Sequence, residues 1–130
     1  MKRPEQILHM QVARYLRVAL REPCFFTTFP AGGGGRIRGA ILKQQGLMAG
    51  MPDILIFAPG PTLNDGRTFT RLIGLELKAG KGRQSESQKE MALRFAAVGG
   101  VYLIARTLDE VEILLRAAGV PLFAKARGGF

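Results

Sequence analysis

Gly50-Met-Pro-Asp53-Ile-Leu-Ile-Phe57 and Leu72-Ile-Gly-Leu-Glu76-Leu-Lys78 are the two pieces on which the reading of this chain turns. Each is a short apolar run of the kind that forms a buried strand. Side chains alternate between faces in an extended strand, so Glu76 and Lys78 project to one side while Leu75 and Leu77 project to the other. Two charged residues on one face of an apolar strand need a partner or a metal, because a buried lone charge is expensive. Asp53 stands at the mouth of the other run and adds a third charge to the same neighbourhood.

Outward from these strands, the punctuation is legible. Ala58 to Arg71 is polar and contains Pro59, Pro61 and Asn64-Asp65-Gly66, a turn signal, so it reads as a hairpin connection. Ala79-Gly-Lys-Gly-Arg83 is a basic turn. Ser85-Glu-Ser-Gln88 is a capping box that opens a helix running to about Val98. Gly99-Gly100 stops it, Val101 to Ala105 is a short strand, and Thr107-Leu-Asp-Glu110 caps a last helix to about Ala118.

Upstream, Pro4 to Arg21 predicts a helix with proline in its first turn. At about 100° per residue, Leu8, Val12, Tyr15, Leu16 and Ala19 share one stripe, and Arg3, Arg14, Arg17 and Arg21 lie opposite. Glu5 and His9 fall within the apolar stripe at its N-terminal end. A helix dipole explains an acid at position 5 but not its face. His9 reads as a partly buried, hydrogen-bonded residue. Pro23 ends the helix, and Cys24 to Phe29 is rich in aromatics and Thr, as strands are. A glycine run, Gly32 to Gly35, precedes a short basic helix over Arg36–Gln45. Neither glycine-rich stretch has the pattern of a Walker phosphate loop, which argues against nucleotide hydrolysis.

The element order predicts an α/β fold: one mixed sheet flanked by helices on both faces. The strands before and after the capping-box helix should be parallel. At 130 residues the chain suits a single domain, with a core at about 4–118 and a basic, Gly-rich tail at 125–130. No apolar run approaches the roughly 18 residues of a membrane span. The N-terminus has no signal-like apolar segment, and the single Cys24 forms no internal disulfide and suits a small buried hydrophobe. A cytoplasmic protein is expected.

Nineteen Lys and Arg against ten Asp and Glu leave a charge of +9, a footprint suited to a polyanion. Most of the acids have ordinary places. Glu86, Glu90, Asp109, Glu110 and Glu112 fall near helix N-termini, where the dipole favours them, and Glu22 and Asp65 fall in loops. Glu5, Asp53 and Glu76 are left in or against the expected core. Gathered in low dielectric, they would drive at least one proton on unless a cation intervenes. An oxygen-only ligand set points to Mg²⁺ or Mn²⁺ rather than zinc. The competing explanation is that these acids pair with the many arginines.

The pattern Pro52-Asp53 … Glu76-x-Lys78 resembles the PD-(D/E)xK nuclease signature. Gly46-Leu-Met-Ala-Gly-Met-Pro-Asp53-Ile, Gly-Leu-Glu-Leu-Lys78, Ser85-x-x-Gln88 and Gly99-Gly-Val-Tyr102 together resemble the VRR-NUC (virus-type replication–repair nuclease) family, from the Glu5 helix to about Leu115. The separation of Asp53 from Glu76, 76 − 53 = 23 residues, is long for that pattern, and the Asp65-Gly66 hairpin absorbs the excess. The resemblance implies a restriction-endonuclease-like core in αβββαβ order with a C-terminal helix. It implies metal ligands at Asp53, Glu76, the Leu77 backbone carbonyl and Glu5, with Lys78 at the attacking water. Gln88 matches the family's helix glutamine beside the site, in competition with a pure capping role. Activity on branched DNA such as Holliday junctions, and a homodimer, are likewise implied. Arg36, Arg38 and Lys43 before the site, and Lys81 and Arg83 after it, are the candidates for gripping DNA phosphates. A non-catalytic nucleic-acid-binding module and an RNA-directed nuclease are the rival readings.

Overall fold

The computed structural model describes residues 3–29 and 35–123. The expectations for Gly32 to Gly34 and for the 125–130 tail lie outside them. Within them the order is α1 (Pro4–Ala19), β1 (Phe25–Thr28), α2 (Gly35–Gln44), β2 (Ile54–Thr62), β3 (Thr68–Leu77), α3 (Glu86–Ala97), β4 (Val101–Ala105) and α4 (Leu108–Ala117). The four strands form one sheet in the order β1-β2-β3-β4. β1–β2 and β2–β3 are antiparallel, and β3–β4, joined through α3, is parallel. The expected mixed α/β sheet is therefore present.

Alternation along β2 and β3 decides what each face holds. Ile54, Ile56, Ile73, Leu75 and Leu77 point to a core filled by Leu8, Val12, Tyr15, Leu16 and Ala19 of α1 and by Leu108, Val111 and Leu115 of α4. Each buried Val, Leu or Ile among them contributes roughly 1.5–3 kcal/mol by leaving water. A one-residue slip would turn Glu76 into that core and the leucines out of it, so the register is strongly specified. The α1 stripe is the one read from the sequence, although the helix ends at Ala19 rather than Arg21.

The opposite face of β3 carries Gly74 and Glu76 and lies beneath α3. A Cβ at Gly74 would stand 2.7 Å from the Pro52 ring and 2.8 Å from the Phe95 ring, so only glycine lets both pack there. Both downstream helices start on real capping boxes. Gln88 N–H donates to Ser85 Oγ (3.2 Å), and Glu110 N–H donates to Thr107 Oγ1 (3.1 Å).

Two expectations are corrected. The hairpin connection is shorter than Ala58–Arg71, because β2 and β3 continue as a ladder to the Thr62–Thr68 pair across an irregularity after Pro59. Pro59 and Pro61 are tolerated there because β1 reaches only as far as Phe57, leaving that edge of β2 unpaired. Cys24 is half-buried against the core rather than inside it. α2 occurs where a short basic helix was expected, but it buries no residue. No helix among the described residues is long and apolar enough to cross a membrane.

Candidate active site at the end of the β2–β3 pair

The last ladder pair at this end of the hairpin is Ile54–Leu75. One step further brings Asp53 opposite Glu76, on the same side of the sheet. The 23 residues between them in sequence are spent on the hairpin, which is why a long separation does no harm. Asp53 Oδ2 accepts the Leu77 N–H at 2.7 Å, which fixes that carboxylate to the strand carrying its partner.

Glu76 is 4 % exposed. Its Oε2 receives Lys78 Nζ at 3.2 Å and Gln88 Nε2 at 2.9 Å. Burial, and then the Asp53 charge, push the Glu76 carboxyl from an ordinary 4.5 up to about 7, while Lys78 and Gln88 pull it back. Two carboxylates close together in low dielectric behave in this way. Arginines do not resolve the conflict. The arginine pairs Arg67–Asp65 and Arg116–Glu112 lie away from this site, and the cation that meets Glu76 is Lys78.

Gln88 settles the competition between its two roles by doing both. Its Oε1 accepts the Ser85 N–H (2.9 Å) as the capping box requires, and its Nε2 reaches Glu76. Gln88→Glu keeps the capping acceptor, removes the donor and sets a like charge against Glu76. Gln88→Ala loses both functions. We expect Gln88→Ala to lower thermal stability by about 1 kcal/mol through the cap. Gln88→Glu should hold α3 and weaken divalent-ion binding or activity through Glu76. A Gln88→Glu protein indistinguishable from wild type in both would leave the residue a cap alone.

Asp53, Glu76, Leu77 and Lys78 line a cleft of about 300 Å³ together with Glu5, Gln6 and His9 from the first two turns of α1. Two larger hollows, of about 380 Å³ beside Leu42 and Met51 and about 530 Å³ beside Ile7, Gly80 and Arg106, carry no carboxylate pair. The structure departs from the sequence reading at Glu5, which is exposed on the cleft wall rather than packed against the core. Among the described residues no three acid, His or Cys side chains stand close enough to hold an ion as a group. The physical reason is that α1 lies on the far face of the sheet and only its N-terminus reaches the strand end. His9 lines the same cleft, half-buried, one turn beyond Glu5.

The donor set still fits a hard cation. Asp53 and Glu76 each commit one oxygen to the protein, and Asp53 Oδ1 and Glu76 Oε1 carry no hydrogen bond among the described residues. Lys81 and Arg83 sit exposed on the turn that leaves Lys78. Arg36, Arg38 and Lys43 are exposed on α2 and do not line the cleft.

Comparison with known proteins bears on the fold. A solved structure of a VRR_NUC domain protein superimposes with a TM-score of 0.61 at 19% sequence identity, covering 91% of this chain and 89% of that one. The chain has the VRR_NUC fold. The mixed four-stranded sheet with its helices is consistent with the restriction-endonuclease-like core that the resemblance implies. No protein-family model matches the sequence, and no curated protein does.

The residue that sequence reasoning missed is Tyr102. The Gly99-Gly-Val-Tyr102 motif by itself assigns it no role. On β4 it pairs with Gly74, and its hydroxyl donates to the Gly50 carbonyl at 3.0 Å. Burial, then Glu76 and Asp53, hold its hydroxyl well above the usual tyrosine range, so it remains a donor. An aromatic residue on a strand flanking the carboxylate strand was the available signal. Arg106 was missed as well: its Nη1 donates to the Gly80 carbonyl (3.0 Å) and braces the turn after Lys78.

Proposed function

We propose that this protein is a divalent-metal-dependent endonuclease that hydrolyses DNA phosphodiester bonds, with a preference for branched DNA. The observation that carries the proposal is the Asp53–Glu76 pair, each with an oxygen that takes no hydrogen bond from the described residues, beside Lys78 in one cleft. The VRR_NUC fold supports it.

Asp53 and Glu76 would hold Mg²⁺, or Mn²⁺ in its place, aided by the Leu77 carbonyl and by Glu5 through water. Carboxylates suit such ions because they leave coordination sites to water and phosphate. When bound, the ion would lower the pKa of a water, polarise the phosphoryl oxygen and support the leaving oxygen. Lys78 supplies a compact cation where the nucleophile arrives and balances the developing charge. Lys81 and Arg83, with Arg36, Arg38 and Lys43, would grip the backbone without reading sequence. Binding should then weaken with salt, by about 0.9 in log–log slope per phosphate contacted. A homodimer would set two such clefts against two strands of a junction.

Plasmid, linear duplex, four-way junction and RNA substrates, each with Mg²⁺, Mn²⁺ or EDTA, test this reading. Nicking should require the ion, stop in EDTA and run about tenfold faster on the junction than on linear duplex. Equal rates would remove the structural preference. Tight binding with no cutting in either ion would favour a binding module that kept the fold, and cleavage of RNA alone would reassign the substrate.

A further inference from the structure

Asp53 sits one residue outside the sheet ladder, so strand pairing does not by itself determine where its carboxylate stands. The segment before it is held instead by packing from three sides. Gly50 has a positive φ of 84°, and a Cβ there would run into the Ser87 carbonyl oxygen at the start of α3. Pro52 is buried against Gly74 and faces the Phe95 ring there. Tyr102 crosses the same face of the sheet, edge-on to Phe95 with centroids 5.5 Å apart, and ends on the Gly50 carbonyl. The α3 turn that touches Gly50 also bears Gln88, which holds Glu76.

We infer that Tyr102 is a positioning residue of the candidate active site: its hydroxyl clamps the Gly50 carbonyl and thereby sets Asp53 against Glu76. Packing at Pro52 restrains that segment laterally but supplies no directional bond. The hydroxyl supplies one, three residues before the carboxylate. Because α3 braces both Gly50 and Glu76, the clamp ties the two carboxylates to a common frame. The consequence for catalysis rests on the nuclease reading; the clamp itself does not.

Tyr102→Phe keeps the ring and its contact with Phe95 and deletes only the hydroxyl. The direct reporter is the Leu77 amide, whose acceptor is Asp53 Oδ2. By NMR hydrogen exchange in EDTA, Leu77 should exchange about tenfold faster in the variant, with Ile73 and Leu75 unchanged. In Mn²⁺ titrations followed by paramagnetic resonance, affinity should weaken about three- to tenfold. On DNA, kcat should fall about tenfold with KM unchanged. In an Asp53→Asn background, Tyr102→Phe should cause no further loss of Mn²⁺ affinity. Unchanged Leu77 exchange, or uniform acceleration across β3, overturns the clamp and leaves Tyr102 a core residue. If wild type neither binds Mn²⁺ nor cuts DNA, the nuclease reading falls while the exchange result still judges the clamp.

Discussion

Asp53→Asn and Glu76→Gln should each reduce DNA cleavage by about a thousandfold or more, while Glu76→Gln makes the metal-free protein more heat-stable at pH 8. The first effect follows from losing an anionic oxygen that holds the cation, whose contribution to the barrier is several kcal/mol, with each 1.36 kcal/mol a factor of ten. The second follows from linkage. Glu76 titrates at about 7 in the folded chain against an ordinary 4.5, so between those values the folded state holds a proton that the unfolded state has released. Its favourable contribution is complete below about pH 4.5 and is lost as pH rises through 7, at up to about 1.4 kcal/mol per pH unit. A neutral glutamine escapes that loss, so its melting temperature in EDTA at pH 8 should exceed wild type by about 2–6 °C. Mg²⁺ should raise the melting temperature of wild type and leave both variants where they are. A Glu76→Gln protein that is less stable than wild type under those conditions, or equally active, would mean that the carboxylate is structural.

Lys78→Met should cost about a hundred- to a thousandfold in turnover, the size associated with removing one donor from a developing negative charge. Methionine is close in volume and fills the stem's place, so most of the loss is electrostatic. Lys78 Nζ stands 3.2 Å from Glu76 Oε2 with only 13 % of its side chain exposed, and it is one of the groups holding the Glu76 pKa down. Without it that pKa climbs further. Residual activity should therefore need more alkaline solution than wild type, and the stability loss, which still begins near the unfolded value of 4.5, should continue to higher pH. Lys78→Arg should not rescue turnover, because a planar fork cannot replace a point charge in that space. pH–rate profiles of the three proteins, with melting curves in EDTA across pH 4–9, check both statements. Coincident wild-type and Lys78→Met profiles would place Lys78 outside the chemistry.

Much of this was legible beforehand. The stripe of Leu8, Val12, Tyr15, Leu16 and Ala19 and the alternation through Ile54, Ile56, Ile73, Leu75 and Leu77 place one helix and two strands around a core, because burial has the period of the backbone. The capping boxes at Ser85 and Thr107 are local chemistry, complete within four residues, and both formed as read. Glu76 and Lys78 share a face for the same local reason.

What the chain order left open were relations between segments. Nothing local places Asp53 opposite Glu76; the hairpin register brings the two positions together, and contacts across the sheet hold the segment before Asp53. Nothing local distinguishes a glutamine that caps from one that also holds a carboxylate, since Gln88 uses opposite ends of one amide for the two. Glu5 shares a helical stripe with core residues, yet it stands exposed on the open wall of the cleft, because periodicity reports a direction around a helix and not how far the sheet extends beneath it. Tyr102 reaches across from another strand to a glycine carbonyl 52 residues away in sequence. Local pattern determined which residues are buried, capped or charged on a shared face; packing between segments decided which of them meet.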